Sequence, residues 1–302
     1  MGFFDQLTSG LRAIPRILTE NRTLRREVQQ LRAALGRVEL RQTAALPQDG
    51  PLRDYEFRVT SQWGEDGIIQ HLLRHVAIAR PVFVEFGVED YTEANTRFLL
   101  ENNGWSGLVM DGSEENIRRI KGWELYWKHN LKAAQAFITR ENINDLLAAN
   151  GINGEIGILS VDIDGMDYWV LEAITCVKPA IVVAEYNALF GPDRAVTVPY
   201  DAAFQRAKAH HSHSYYGASL AALVALGKRK GLAFVGSNTA GNNAFFVRED
   251  LLRAPLRALT AAEGWVKRGF REARDVEGRL TFPSFEDEAA IVNALPLVEV
   301  GK

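Results

Sequence analysis

The sequence predicts an α/β protein: a mostly parallel sheet with an antiparallel last strand, helices on both faces, and an N-terminal coiled-coil helix ahead of it. Three observations carry this expectation. Short Val/Ile-rich runs alternate with helical patterns from residue 81 onward, the pattern of βαβ units. Those runs are apolar along their whole length, as strands buried on both faces are. The last two runs, 232–238 and 242–248, lie so close in sequence that they pair as an antiparallel hairpin.

The chain has 302 residues, enough for one large domain and an appendage. Apolar residues make up 47% and charged residues 24%, so a full core can be buried. A formal net charge of -3 gives no bulk attraction to a polyanion, and no nucleic-acid partner is expected. The single cysteine, Cys176, excludes an intrachain disulfide and a multi-cysteine metal cluster, and fits a reducing, cytoplasmic setting. No run reaches the roughly 18 apolar residues that span a bilayer.

The elements follow in order. Phe3, Phe4, Leu7, Leu11, Ile14 and Leu18 recur at helical spacing. Packing on a partner chain or on the body is favoured over peripheral membrane contact by residues 1–18, because the basic face is weak. Ile14, Asn21, Val28 and Leu35 then form one heptad core position, and Ile17, Leu24, Leu31 and Val38 the other. Pro15 suits a first helical turn, so the helix is expected to begin there. Asn21 in a core position sets register in a parallel dimer. Residues 1–41 are therefore read as an oligomerisation helix making a homo-oligomer, against the alternative of an amphipathic helix folded back on the domain. Pro47, Gly50 and Pro51 mark 42–56 as a linker, and 57–302 is the main domain.

Within it, 81–87 reads as a strand, 94–104 as a helix stopped by Gly104, and 107–112 as a strand. Residues 113–122 form a helix opened by Ser113, with Asn116 where a capping box has Glu. Strands at 134–139, 156–164 and 179–187 alternate with helices at 142–151, 167–174 and 217–231. The final 50 residues are expected as short helices packed on the body.

Ligands of an open parallel sheet bind at the carboxyl ends of its strands. Here the strands end on Glu85 and Gly87, on Asp111 and Gly112, on Asp162, Asp164 and Gly165, and on Glu185 and Asn187. A buried carboxylate is costly unless paired, hydrogen-bonded or bound to a cation, so this rim reads as a site. Gly87 lets the backbone approach a ligand, and Asp111 lies near the sequence distance at which such folds place an acid on a ribose diol. The pyrophosphate fingerprint G-x-G-x-x-G is absent, and Glu89-Asp90-Tyr91-Thr92 would repel a phosphate. A nucleoside carrying a cation and no phosphate fits, and S-adenosyl-L-methionine is one.

VEFGVEDYTEANTRFLLENNGWSGLVMDGSEEN resembles the first block of FkbM-type methyltransferases. SQWGEDGIIQ (61–70), SVDIDGMDYWVLEAI and YYGASLAALVALGKRKGLAFVGSNTAGNNAFFV are similar to their other blocks, so the resemblance covers about residues 60–250. It implies a Rossmann-like class I methyltransferase sheet, S-adenosylmethionine as methyl donor, and a sugar or other hydroxyl as acceptor. Two departures stand out: the cofactor loop lacks its second glycine, and Asp111-Gly112 stands where Glu-Pro is common.

Rim and resemblance together place Glu85, Gly87, Asn95, Asp111, Gly112, Ser113 and Asp162 at the cofactor, with residues 139–142 near its adenine. For Glu85 the alternative is a structural acid capping the next helix. Asp162, Asp164 and Asp167, with Glu185 and Asn187, are candidate ligands of a divalent Mg2+ or Mn2+ ion. The alternative there is that Asp162 meets the cofactor and Asp167 caps its helix. Asp164 and His213 are the catalytic candidates; His213 belongs to AHHSHSYYG (209–217), which a solvated loop would also explain. Trp63 and Tyr91 either line a pocket for a small-molecule or glycan acceptor or pack in the core. The rival functions are a nucleotide-dependent oxidoreductase, which the missing phosphate loop disfavours, and a decayed, non-catalytic scaffold.

Overall fold

The computed structural model describes residues 3–301, and side chains in that range other than those of residues 3–14, 16 and 22. Helix α1 spans Phe3–Ala45 with Pro15 inside it. This corrects the expected start at Pro15. A proline removes one amide donor from a helix interior, and the run before it holds no other breaker than Gly10, so the helix passes through. The packing of Phe3, Phe4, Leu7, Leu11 and Ile14 falls outside the described side chains.

In chain order there follow α2 (Glu65–His75), β1 (Val82–Phe86), α3 (Arg97–Asn102), β2 (Ser106–Asp111), α4 (Glu114–Lys121), α5 (Glu124–Lys128), β3 (Leu131–Gln135) and α6 (Ile143–Ala149). Next come β4 (Gly154–Val161), α7 (Asp167–Ala173), β5 (Val177–Glu185), β6 (Val196–Thr197), α8 (Arg206–Ala209), α9 (Leu220–Arg229), β7 (Leu232–Ser237) and β8 (Asn243–Arg248). The chain closes with α10 (Ala261–Gly264), α11 (Phe285–Asn293) and β9 (Val298–Glu299). The main sheet has the order β3-β2-β1-β4-β5-β8-β7. Its first five strands are parallel, and β8 runs antiparallel to both neighbours. β6 and β9 pair as a small second sheet.

The expected α/β sheet is what the chain adopts, with a helix ahead of it. Alternate residues of one strand feed opposite cores: Val84 and Phe86 pack with α6, α7 and α9 residues such as Leu147, Leu171 and Leu223, while Phe83 packs with Ile69, Leu72 and Leu99 from α2 and α3. Both faces are covered, which is why the strands read as continuous apolar runs. The order of strands reverses between β1 and β4, and the connections that leave them pass to opposite faces. That divergence opens a crevice beyond their carboxyl ends.

One expected strand is displaced. AQAFIT (134–139) contributes only its first two residues to β3, because pairing stops where β2 stops, with Asp111 opposite Gln135. Residues 136–139 continue as an irregular segment along the crevice. The segment 59–64 ahead of α2 is fixed by two buried acids. Asp66 accepts from the amides of Val59, Thr60 and Ser61 at 2.7–2.8 Å. Glu65 accepts from those of Trp63 and Gly64 and from the side chains of Asn238 and Asn243, tying this segment to the β7–β8 hairpin.

The C-terminal end of α1 lies on the domain. Leu40 packs beside Phe57, Val59 and Phe98, and a Cβ on Gly36 would stand 2.3 Å from Val59. Arg74 donates to the Thr43 hydroxyl at 3.1 Å. The stretch 42–56 thus begins inside α1 and is pinned where the Gly50 amide donates to the Tyr55 hydroxyl. The heptad positions face away: Leu24, Leu31 and Leu35 are 57%, 69% and 58% exposed. Among the described residues no helix is long and apolar enough to cross a membrane.

Candidate functional site

Gly87 closes β1 against the end of β4. Its φ is +68°, and a Cβ there would stand 1.7 Å from the Asp162 carbonyl oxygen, so only glycine allows the two strand ends to touch. Strain gathers around it. Among the described residues, those with positive φ that are not glycine are Glu89, Tyr91, Asp164 and His213, all in loops bordering the crevice. Each such conformation costs about 1–3 kcal/mol and persists only where its surroundings impose it.

Three cavities meet at the crevice, and Asp164 lines all three. The first is a slot of about 180 Å³ walled by Met110, Phe137, Ile138, Ile163 and Phe204, with Asp111, Gly112 and Thr139 also on its wall. The second, of about 270 Å³, is lined by seven carboxylates: Glu85, Glu89, Glu93, Asp162, Asp164, Glu185 and Glu272. Slot and acidic cavity share Gly87 and Asp164. The third, of about 590 Å³, is lined by Arg206, His213, Arg271, Glu272 and Arg274 and shares Phe137, Ile163 and Phe204 with the slot.

The expected cofactor residues come together here, with different duties. Asp111 accepts from the Glu89 and Ser113 amides at 2.8 Å and from the Asn116 side chain at 3.0 Å. Only one donor reaches its Oδ2, so acceptor capacity remains toward the slot. Ser113 caps α4 through the Asn116 amide. Glu85 lines the acidic cavity, but its carboxylate is engaged by the Asn95 amide at 2.8 Å, the Thr96 amide at 3.0 Å and the Thr96 hydroxyl at 2.5 Å. Its work is to fix the turn before α3. Burial pushes its pKa up to about 7 against those hydrogen bonds. The turn it fixes carries Asn95, whose amide reaches the Ser160 hydroxyl at 3.1 Å.

The expected metal set is narrowed. Asp167 is turned to the backbone: its two carboxylate oxygens accept from the Ile163 and Gly165 amides at 2.8 and 2.9 Å and shape the loop after β4. Asn187 donates to the Ser214 and Tyr216 carbonyls and accepts from Leu189, so it too is turned to the backbone. Asp162, Asp164 and Glu185 bring carboxylate oxygens within 4.8 Å of one another. Glu185 is buried, and its Oε2 has no hydrogen-bond partner. Burial, with Asp164 and Asp167 beside it, pushes the Asp162 pKa well up; burial and Asp162 do the same to Glu185. An orphaned oxygen among mutually repelling acids suits a hard divalent cation.

Arg206 is the positive charge at this junction. It bonds Asp164 at 3.0 Å, pairs with Glu272, donates to the His213 carbonyl at 2.6 Å, and lies 3.9 Å from the centre of the Tyr216 ring. His213 lines the wide cavity beside it. Burial and then Arg274 and Arg206 lower its pKa, keeping the ring neutral and able to accept a proton. Tyr91 does not line a pocket: it is fully buried and its hydroxyl meets that of Thr96. Trp63 is 39% exposed and stacks on Phe270 at 5.2 Å. Arg206, Arg271, Glu272 and Arg274 were not foreseen. They come from stretches with no periodic pattern, and the contacts that recruit them span up to 66 residues, as in Arg206–Glu272.

No protein-family model matches the chain, and no curated protein is similar to it. The FkbM resemblance therefore rests on the segments quoted for it. Among solved structures, a S-adenosylmethionine-dependent methyltransferase from Clostridium acetobutylicum ATCC 824 is similar over 60% of this chain and 88% of that one, with 10% identity and a TM-score of 0.37.

Proposed function

We propose that this protein is a S-adenosylmethionine-dependent O-methyltransferase acting on a hydroxyl of a small-molecule or glycan acceptor. The observation that carries the reading is the junction at Gly87 and Asp164 of an apolar slot containing Asp111 with a cavity of seven carboxylates. An uncharged adenosine suits the slot, with its ribose hydroxyls on Asp111. A sulfonium and an ammonium suit the acidic cavity, and a pyrophosphate suits neither. S-adenosylmethionine supplies an electrophilic methyl group. The chain's own residues bring the acceptor to the meeting point at Asp164, exclude water with Phe137, Ile163 and Phe204, and receive the hydroxyl proton. His213, held neutral, is the candidate acceptor of that proton. Positioning supplies most of the rate in such a transfer. Asp162, Asp164 and Glu185 would hold Mg2+ or Mn2+, which lowers the pKa of a bound hydroxyl.

Calorimetry tests the donor. S-adenosylmethionine and S-adenosylhomocysteine should release heat and NAD none. Asp111→Ala should weaken both interactions by about 30-fold, as expected from losing charge-assisted hydrogen bonds of about 2 kcal/mol. Heat from NAD alone would return the oxidoreductase reading. A folded protein that binds none of the three would return the scaffold.

The exposed heptad face of α1 has a second copy of this chain as its proposed partner. The pattern, with Asn21 at a core position, is that of a parallel two-stranded coiled coil, and a surface row of leucines otherwise stays in water. Sedimentation should give a dimer, and Leu24→Glu with Leu31→Glu a folded monomer. A wild-type monomer at high micromolar concentration would refute it.

A further inference from the structure

The wide cavity says more about the acceptor than its size does. Every basic side chain between residues 265 and 280 other than two has a carboxylate partner: Lys267 pairs with Glu286, Arg268 with Glu288, and Arg279 with Asp275 and Glu277. The two exceptions are Arg271 and Arg274, and both line the cavity that opens on Asp164. Arg271 lies over the face of Phe282 at 5.5 Å, and Arg274 donates to the Gly278 carbonyl at 2.8 Å. Neither contact neutralises a charge. The two carboxylates of the same cavity, Asp164 and Glu272, both pair with Arg206. Three guanidinium groups thus face two carboxylates, and the two that touch no carboxylate, Arg271 and Arg274, lie beside apolar surface from Phe137, Phe204 and Leu280.

We propose that the acceptor carries an oxyanion, a carboxylate or a phosphate, which Arg271 and Arg274 seat while its hydroxyl is presented at Asp164. The guanidinium fork matches either oxyanion in a bidentate manner. A neutral sugar would leave both arginines without a counter-charge. The arrangement also separates two charges of opposite sign in one site: the cationic donor belongs to the acidic cavity, the anionic acceptor to the basic one, and Asp164 stands at the boundary. The proposal rests on the methyl-transfer reading for the acceptor's role, but its binding component is tested independently of it.

The test uses the full chain and follows the arginine side-chain NMR signals during titration with inorganic phosphate and with acetate. Saturable shifts at Arg271 and Arg274 are expected. Saturable binding of phosphate and acetate, read by calorimetry, should be lost in Arg271→Gln with Arg274→Gln, whose affinity for S-adenosylhomocysteine should remain that of the wild type. A stronger response to phosphate points to a phosphorylated acceptor, a stronger response to acetate to a carboxylate. Glucuronate or glucose 6-phosphate should bind at least tenfold tighter than glucose. The proposal is overturned if no saturable shift occurs, if binding survives in the double variant, or if glucose binds as well as its anionic counterparts. Wild-type protein that binds anions but not S-adenosylhomocysteine would refute methyl transfer and leave the anion site standing.

Discussion

Replacing Asp162 by Asn and Glu185 by Gln together should abolish divalent-cation binding and raise the melting temperature of the cation-free protein. The two carboxylates face each other and Asp164, and Glu185 Oε2 is buried without a partner. A buried, unsatisfied acid costs on the order of 1–3 kcal/mol, and amides of the same shape remove the repulsion. For a chain of this size that gain corresponds to roughly 3 °C in Tm. Mn2+ binding followed by electron paramagnetic resonance and a thermal scan in a chelator read the two effects separately. Asp167→Asn should behave otherwise. It weakens two backbone contacts and lowers Tm, because that carboxylate is structural. Mn2+ binding retained by the double variant, or a lowered Tm in it, would rule out a cation site at this triad.

Gly87→Ala carries the second large effect. The left-handed backbone alone costs an alanine about 1–2 kcal/mol. Beyond that, its Cβ would stand 1.7 Å from the Asp162 carbonyl oxygen, so the ends of β1 and β4 must part by more than an ångström. That displacement pulls apart groups of the slot and the acidic cavity, and affinity for S-adenosylmethionine should fall by about tenfold or more, ~1.4 kcal/mol. Gly104→Ala is the control. Its φ of +67° imposes the same backbone cost, but nothing lies within 4 Å of the added atom, so donor affinity should be unchanged while stability drops slightly. Equal affinities in the two variants would mean that the crevice is not where the donor binds.

The fold was legible because each strand is buried on both faces and reads as an unbroken apolar run, and because Gly104, Ser113 and Gly231 punctuate the helices. Pro15 misled because a single missing donor does not stop a helix whose flanks both favour it. The 134–139 run misled because Phe137, Ile138 and Thr139 have strand-like composition, whereas the length of β2 decides where pairing ends. At the site, the positions of Gly87, Asp111, Asp162, Asp164 and Glu185 follow from the rule that strand ends face the ligand. What individual acids do there did not follow. Asp167 and Glu85 each accept from two backbone amides, while Asp162 lies within reach of Asp164 and Glu185, because loop geometry decides which oxygens meet an N–H. Arg206, Arg271 and Arg274 were beyond reach: a charged residue in an aperiodic stretch looks the same in sequence whether it faces water or a pocket.

On the proposed methyl-transfer reading, the seven acids around the second cavity bear on the end of the cycle as well as its beginning. A sulfonium that gives up its methyl group becomes a neutral thioether, so the spent donor forfeits much of the attraction that held it. The acids that would hold fresh donor would therefore hold the by-product less tightly, and the protein should show weak product inhibition, with turnover protected from accumulation of the demethylated compound.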